Sequence, residues 1–296
     1  MRAKISAKPD KICNVILAII VVIITLFTLY PFLYCLAYSL SDPVQLSMKG
    51  VFLLPAGFTL ENYKTVFRNP VILPAFGISI ARTVIGVVYT CLVTGMASYA
   101  VSKKDLPGRK WISYFLIIPM YVGGGMIASY VNIYQLGLHN NFLVYILPAG
   151  FATYYMLLMR TFFSELPVSL EEAARLDGAG EAAVFFRIIF PLSKPIFATI
   201  ALFAGVSQWN SWYDAMVYVT NTKLYPIQMI LQQILMGTSA STMMKQAQAA
   251  SQGARTVTPE TIQTATLIVT VVPITLIYPF LQKYFVKGIM IGAVKS

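Results

Sequence analysis

Polar and charged residues along this chain are gathered into stretches that separate six long apolar runs, at about 14–38, 73–101, 111–130, 141–163, 195–219 and 262–286. Each run reaches about 20 residues or more, which at 1.5 Å per helical residue covers a hydrocarbon core of roughly 30 Å. The pattern predicts an all-α polytopic membrane protein, six transmembrane helices in a single domain spanning 1–296. The first run outlasts the apolar part of a secretory leader and no A-x-A-like site closes it, so it is expected to stay as an anchor helix.

The intervening segments differ in kind. Two are long, 39–72 and 220–260. In the second, Ile227, Ile230, Leu231, Ile234 and Leu235 keep an i, i+3, i+4, i+7, i+8 stripe with Gln228, Gln232 and Gln233 opposite, which predicts a short amphipathic helix after Pro226. The stretch 237–258, rich in Ser, Thr, Ala, Gln and Gly and without apolar period, reads as loop. Helix breakers also fall inside the runs: Pro119 with Gly123, Gly124 and Gly125, then Pro148, then Pro273 and Pro279. Broken backbone at membrane depth survives only against protein or a wet cavity, so these residues fit a translocation path as well as plain kinks and close packing. No internal repeat is evident.

Composition strengthens the membrane reading, with 57% hydrophobic and 11% charged residues and a mean hydropathy of +0.70. A net charge of +11 could suggest nucleic acid, but its distribution follows the membrane sides instead. Fifteen Lys and Arg fall in the N-terminal tail, the second and fourth loops and the C-terminal tail, against six in the other loops, which predicts both termini inside. Cys13, Cys35 and Cys91 lie in or beside spans with no C-x-x-C, and the lone His139 is expected as a solvated turn residue. Neither suggests a metal site.

The segment 164–194 is far more polar than its neighbours and longer than a helix connection needs, so a partner should dock there. Ser169 to Glu172 has capping-box spacing, a helix should follow through Ala173, Ala174, Arg175 and Leu176, and Gly178 should end it. A second short helix, Glu181 to Phe190, should stop at Pro191. Glu172-Ala173-Ala174, three residues to Gly178, then nine to Ile188 and on to Pro191, resembles the EAA motif of binding-protein-dependent ABC permeases. Phe190 departs from the leucine usual before that proline. Phe58-Thr59-Leu60-Glu61-Asn62-Tyr63, Lys283 to Gly288 and Gly292 to Lys295 are similar to the maltose-type carbohydrate group, and Phe203 to Tyr213 resembles its branch for complex oligosaccharides.

The resemblance implies a permease subunit in the bacterial cytoplasmic membrane, forming half of an oligosaccharide path with a second permease, a copy or, as the resemblance favours, a paralogue. Its partners would be two ATPase subunits, which carry the ATP and Mg, and an extracellular solute-binding protein; this chain would hold no cofactor. Coupling to the ATPase is expected of Glu171, Glu172, Ala173, Ala174, Asp177, Gly178 and Pro191, and contact by the tail of Gly288, Lys295 and Ser296.

Candidates for the substrate path are Arg82, Tyr121, Trp209, Asn210, Trp212, Tyr213 and Asp214. Arg82 is the only base deep in a span and Asp214 the only acid in one. Each costs about 2.5–3.5 kcal/mol at the bilayer centre unless partnered or wet, so the two should pair or one should face a cavity. On a continuous helix 209, 212 and 213 share a face, with Asn210 about 100° from Trp209. That face suits either sugar stacking or an interfacial aromatic belt. The chain lacks G-x-x-x-x-G-K-[ST], so energy must come from another subunit. An ion-coupled secondary transporter is the alternative, with Asp214 its sole intramembrane carboxylate. An intramembrane enzyme lacks its constellation of Ser/His or paired carboxylates.

Overall fold

A computed structural model describes residues 11–237 and 258–293, and among them the protein is helical, with one isolated bridge, Ser41 to Phe58, in place of any strand. The chain divides into two compact units, one built from the chain up to Asn69 with Ile234–Val269, the other from Pro70–Gln233 and Thr270 onward.

In the first unit α1 (Lys11–Ser39) exposes its apolar side chains along its length, as a helix solvated by lipid would. Asp42 then caps α2 (Pro43–Lys49), its Oδ1 accepting from the Val44 amide at 2.9 Å. The loop folds back so that the Thr59 amide donates to the Leu40 carbonyl at 2.8 Å. At the start of α3 (Glu61–Arg68), Asn62 is fully buried and its Nδ2 donates to the carbonyls of Ser39 and Ser41 at 2.8 and 3.0 Å. Tyr63 shares a 2.6 Å hydrogen bond with the Ser39 hydroxyl. The Phe58–Tyr63 segment thus acts as a clasp on the end of α1.

In the second unit α4 (Ile72–Ser102) is the central rod, and its buried stripe is mostly small or polar: Ser79, Arg82, Gly86, Thr90, Thr94 and Ser98 among others. With no water in a bilayer core, those polar groups must bond within the protein: Ser98 donates to the Thr94 carbonyl one turn back, while Thr90, Thr94 and Arg82 reach across to other segments. α5 (Arg109–Tyr121) and α6 (Gly125–Gln135) meet at a 118° bend around Val122–Gly124, so the expected third run is a broken one. The fourth run, 141–163, is not one helix either. A single 3₁₀ turn, Phe142–Tyr145, leads through irregular chain to the 12-residue α7 (Thr153–Ser164). Pro148 removes a donor there, and Thr90 and Thr94 of α4 supply theirs to the carbonyls of Ala149 and Gly150 at 3.1 and 3.3 Å.

α8 (Val168–Leu176) and α9 (Glu181–Val184) follow, then a π turn, Phe185–Ile189, and the short α10 (Phe190–Leu192). The second helix was expected to stop at Pro191, but it runs past it. Proline has no N–H for the Arg187 carbonyl, and the Phe190 amide reaches back five residues to Phe185. The turn comes at Ser193, an 83° bend, and Pro195 sits in the first turn of α11 (Lys194–Asn210), where a missing N–H costs nothing. The fifth run also breaks, at Ser211–Trp212, before α12 (Tyr213–Tyr218). The amphipathic helix after Pro226 is α13 (Ile227–Leu235), with Ile227, Ile230, Leu231 and Ile234 buried and Leu235 left exposed. α14 (Pro259–Ala293) continues through Pro273 and Pro279. Most of the expected loop 237–258 lies outside the described residues.

Candidate functional site

Arg82 is 1% exposed on α4 and uses all five of its N–H groups. Its Nε and one terminal nitrogen share Gln208 Oε1 at 3.1 and 3.0 Å. The fork closes on Asp214, at 2.5 Å to Oδ2 and 3.2 Å to Oδ1, and on the Ser211 carbonyl at 3.2 Å. That carbonyl belongs to the break between α11 and α12, so the irregular backbone and the buried cation satisfy each other. The guanidinium also lies over the Tyr145 ring, 4.3 Å from its centroid. Gln208 is held in turn by its amide nitrogen donating to the Tyr145 carbonyl at 2.9 Å. Gly86 makes room for it, since a Cβ there would stand 2.8 Å from Gln208 Nε2.

The structure therefore brings Arg82 and Asp214 together, in a paired site rather than a free cation facing a cavity. It separates the aromatic candidates. Because the helix breaks at Ser211–Trp212, the common face of 209, 212 and 213 does not form. Trp209 is buried, its Nε1 donating to the Thr270 carbonyl at 3.2 Å, and it walls an apolar cavity of about 80 Å³ with Thr83, Leu202, Gly205, Val206, Ile274 and Ile277. Ligand pockets run to about 300 Å³ and above, so this space does not suit a sugar. Asn210 is exposed and accepts from Gln228 at 3.3 Å, while Tyr213 stands exposed with Trp212 edge-on to it. Tyr121, 80% exposed, ends α5 at the 118° bend. His139, expected in solvent, is half-buried against the rings of Tyr130 and Tyr134.

The coupling segment forms a second site. α8 begins at Val168 after Pro167 with no side-chain cap, so the expected capping box is absent and Ser169 lies inside the first turn. Its end is as the sequence suggests. Gly178 takes φ +82°, the Ala179 amide donates to the Ala174 carbonyl and the Gly178 amide to Arg175, the paired bonds of a Schellman motif. Ala174 is buried, whereas Glu172, Ala173 and Asp177 face outward and Leu176 is 89% exposed. Glu171, grouped by position with the docking residues, instead turns inward and pairs with Lys103 at the end of α4. Pro191 sits in α10 beyond the π turn. Arg175 pairs with Glu181 at 2.7 Å, and that carboxylate holds the guanidinium above its ordinary pKa. Gly288 lies within α14; Lys295 and Ser296 lie outside the described residues.

The sequence profile of the family described as "Binding-protein-dependent transport system inner membrane component" matches residues 92–291, which include the coupling segment, Gln208 and Asp214. The chain belongs to this family. Protein LplC of Bacillus subtilis (strain 168) is 37% identical over 91% of this chain and 90% of its own length. The polygalacturonan/rhamnogalacturonan transport system permease protein YtcP of the same organism is 33% identical, over 92% and 94%. A solved bacterial ABC transporter involved in the import of the acidic polysaccharide alginate contains a chain 29% identical, with a TM-score of 0.87 over 96% of this chain and all of that one. As a binding-protein-dependent transport component, this protein is a permease subunit of an ABC importer, a transport subunit and not an enzyme.

Gln208, Tyr145 and Lys103 were not among the residues singled out in the sequence. One signal for the first two is the polar or small residue at every third or fourth position of the second run, from Ser79 to Ser98, which marks a buried polar face and calls for buried polar partners.

Proposed function

We propose that this permease imports an oligosaccharide handed over by an extracellular binding protein, forming half of the path beside a paralogous second permease. ATP and Mg belong to two separate ATPase subunits. The whole chain acts as one permease domain with six crossings of the cytoplasmic membrane. Both termini and the segment 164–194 face the cytoplasm, and 39–72 and 220–260 face outside. In the fourth crossing, the irregular stretch before α7 makes up the length that a 12-residue helix lacks.

One observation carries the coupling role. The α8–α9 element presents Val168, Glu172 and Leu176, at i, i+4 and i+8, as an open stripe closed by the turn at Gly178, two exposed apolar side chains flanking a carboxylate and free for a partner. Glu172, Ala173, Asp177 and Gly178 form the face for the ATPase, with the buried Ala174 shaping it from within, the exposed Pro191 at its far side and the tail from Gly288 to Ser296 adding contact. The oligosaccharide reading is supported by relatives named for polygalacturonan/rhamnogalacturonan transport and alginate import.

Proteoliposomes holding both permeases and the ATPase subunits test it. Labelled oligosaccharide on its binding protein should enter only with ATP on the ATPase side, and ionophores should not matter. Uptake driven by an ion gradient without the ATPase would overturn the reading in favour of a secondary transporter. Gly178→Pro should leave membrane insertion intact, weaken retention of the ATPase subunits and uncouple hydrolysis from uptake. Normal coupling in that variant would remove the docking assignment.

A further inference from the structure

The two adjacent glutamates of the coupling helix face opposite ways. Glu172 is exposed, while the Glu171 side chain is 11% exposed against Lys103 at 18%. The Lys103 ammonium also lies 4.0 Å from the centroid of the Tyr99 ring, one turn back on α4. The Tyr99 hydroxyl donates to Glu181 at 3.3 Å, and Glu181 pairs with Arg175. Both short helices of the element, α8 through Glu171 and α9 through Glu181, therefore grip the same last turn of α4. Lys103 is the residue that ends that helix, where a cation is favoured by the helix dipole. From there α4 runs without a break to Arg82, about 30 Å away along the axis, and Arg82 holds the break between α11 and α12.

We propose that Lys103 and Glu171 form a latch that delivers movement of the docked coupling element to α4, and through Arg82 to the α11–α12 break. The proposal rests on the docking reading above. Lys103 and Glu171 are positioning residues that act through the element and do not touch the ATPase. The pair suits this task because it is largely shielded from water, so its attraction is weakened little by solvent. Apolar packing of Ala174, Val184 and Phe185 against Tyr99 keeps the element in place, and the ion pair fixes its register.

The test uses the reconstituted importer and reads sugar taken up per ATP hydrolysed, together with the amount of ATPase subunit retained. Lys103→Met and Glu171→Gln should keep the ATPase subunits and lower the ratio at least tenfold. The charge exchange Lys103→Glu with Glu171→Lys should return it to within threefold of the natural protein. A ratio unchanged in the single variants overturns the latch. Loss of the ATPase subunits from Glu171→Gln also overturns it, because that places Glu171 on the docking face. If the exchange fails to assemble, Lys103→Arg decides. It should keep a normal ratio, and a ratio as low as that of Lys103→Met overturns the proposal. Failure of the docking reading shows separately, as full retention of ATPase and normal coupling in Gly178→Pro.

Discussion

Two charged clusters hold α4, one around Arg82 about three turns inside the helix and one around Lys103 at its end, and they are built by different rules. Around Arg82 the cation is 1% exposed, every donor is matched, and Asp214 is 23% exposed, so the cluster is a closed polar core in an apolar run. At the end of the helix the Lys103–Glu171 pair is likewise largely shielded, at 18% and 11%, but the neighbouring Arg175–Glu181 pair is open to water, at 39% and 61%. The difference is one of reference state. Removing a partner from the first strands a charge in a medium that cannot solvate it, whereas removing one from the last hands its mate to water. The same pairing of Arg or Lys with a carboxylate should therefore span a wide range of worth within one unit of the chain.

Arg82→Met should give the largest effect. It leaves Asp214, Gln208 and the Ser211 carbonyl without their common donor. Breaking a buried pair costs about 3–5 kcal/mol, and partial exposure of Asp214 places this one toward the lower figure. Denaturant unfolding of the detergent-solubilised complex measures it, and a cycle with Asp214→Asn should return a coupling of at least about 1.5 kcal/mol. A value below about 0.5 kcal/mol would mean that the two side chains act independently despite their geometry.

Gly86→Ala should come next, without touching a charge. The added methyl meets the Gln208 amide at 2.8 Å, so Gln208 must retreat from Arg82 or α4 must part from α11. Overpacking of this kind costs about 1–3 kcal/mol. Gln208→Ala should relieve the Gly86→Ala strain in part, since the clash disappears with the side chain; equal losses in both backgrounds would place the cost elsewhere.

How far the sequence reached follows from the same distinction. Insertion cost alone pointed to Arg82 with Asp214, because two lone charges in apolar runs have few other remedies. The stripe from Ile227 was equally legible, as was Gly178 ending its helix, since each depends on neighbours within a turn or two. What escaped was set across the fold. The break at Ser211–Trp212 carries no proline or glycine and is held by Arg82, a residue far away in the chain, so the face expected of Trp209, Trp212 and Tyr213 could not be foreseen to dissolve. Glu171 and Glu172 look alike in sequence, and only the position of Lys103 separates an inward from an outward role.

Gly178→Ala should cost about 1–2 kcal/mol of local stability, because a φ of +82° puts the new Cβ against the following carbonyl. Open space around the position leaves that backbone term as the whole cost. Faster amide exchange confined to α8, with the Arg82 cluster unchanged, would show that the two clusters are separate.

The smallest effect belongs to Arg175→Ala. Its partner Glu181 is 61% exposed and keeps the Tyr99 hydroxyl as a second ligand, so the lost contact is replaced by water on one side and retained on the other. Exposed pairs are worth about 0.2–1 kcal/mol, and salt screens them within roughly 8–10 Å at ordinary ionic strength. The change in complex stability should stay below about 0.5 kcal/mol and fall further as salt is raised. Arg82→Met, shielded from ions, should lose the same amount at low and high salt. A salt-independent loss of 2 kcal/mol or more at Arg175, about the size expected of a desolvated pair, would mean that the coupling element is sealed by a partner even in the isolated complex. The exposure of α8 and α9 would then have to be reassigned to an interface.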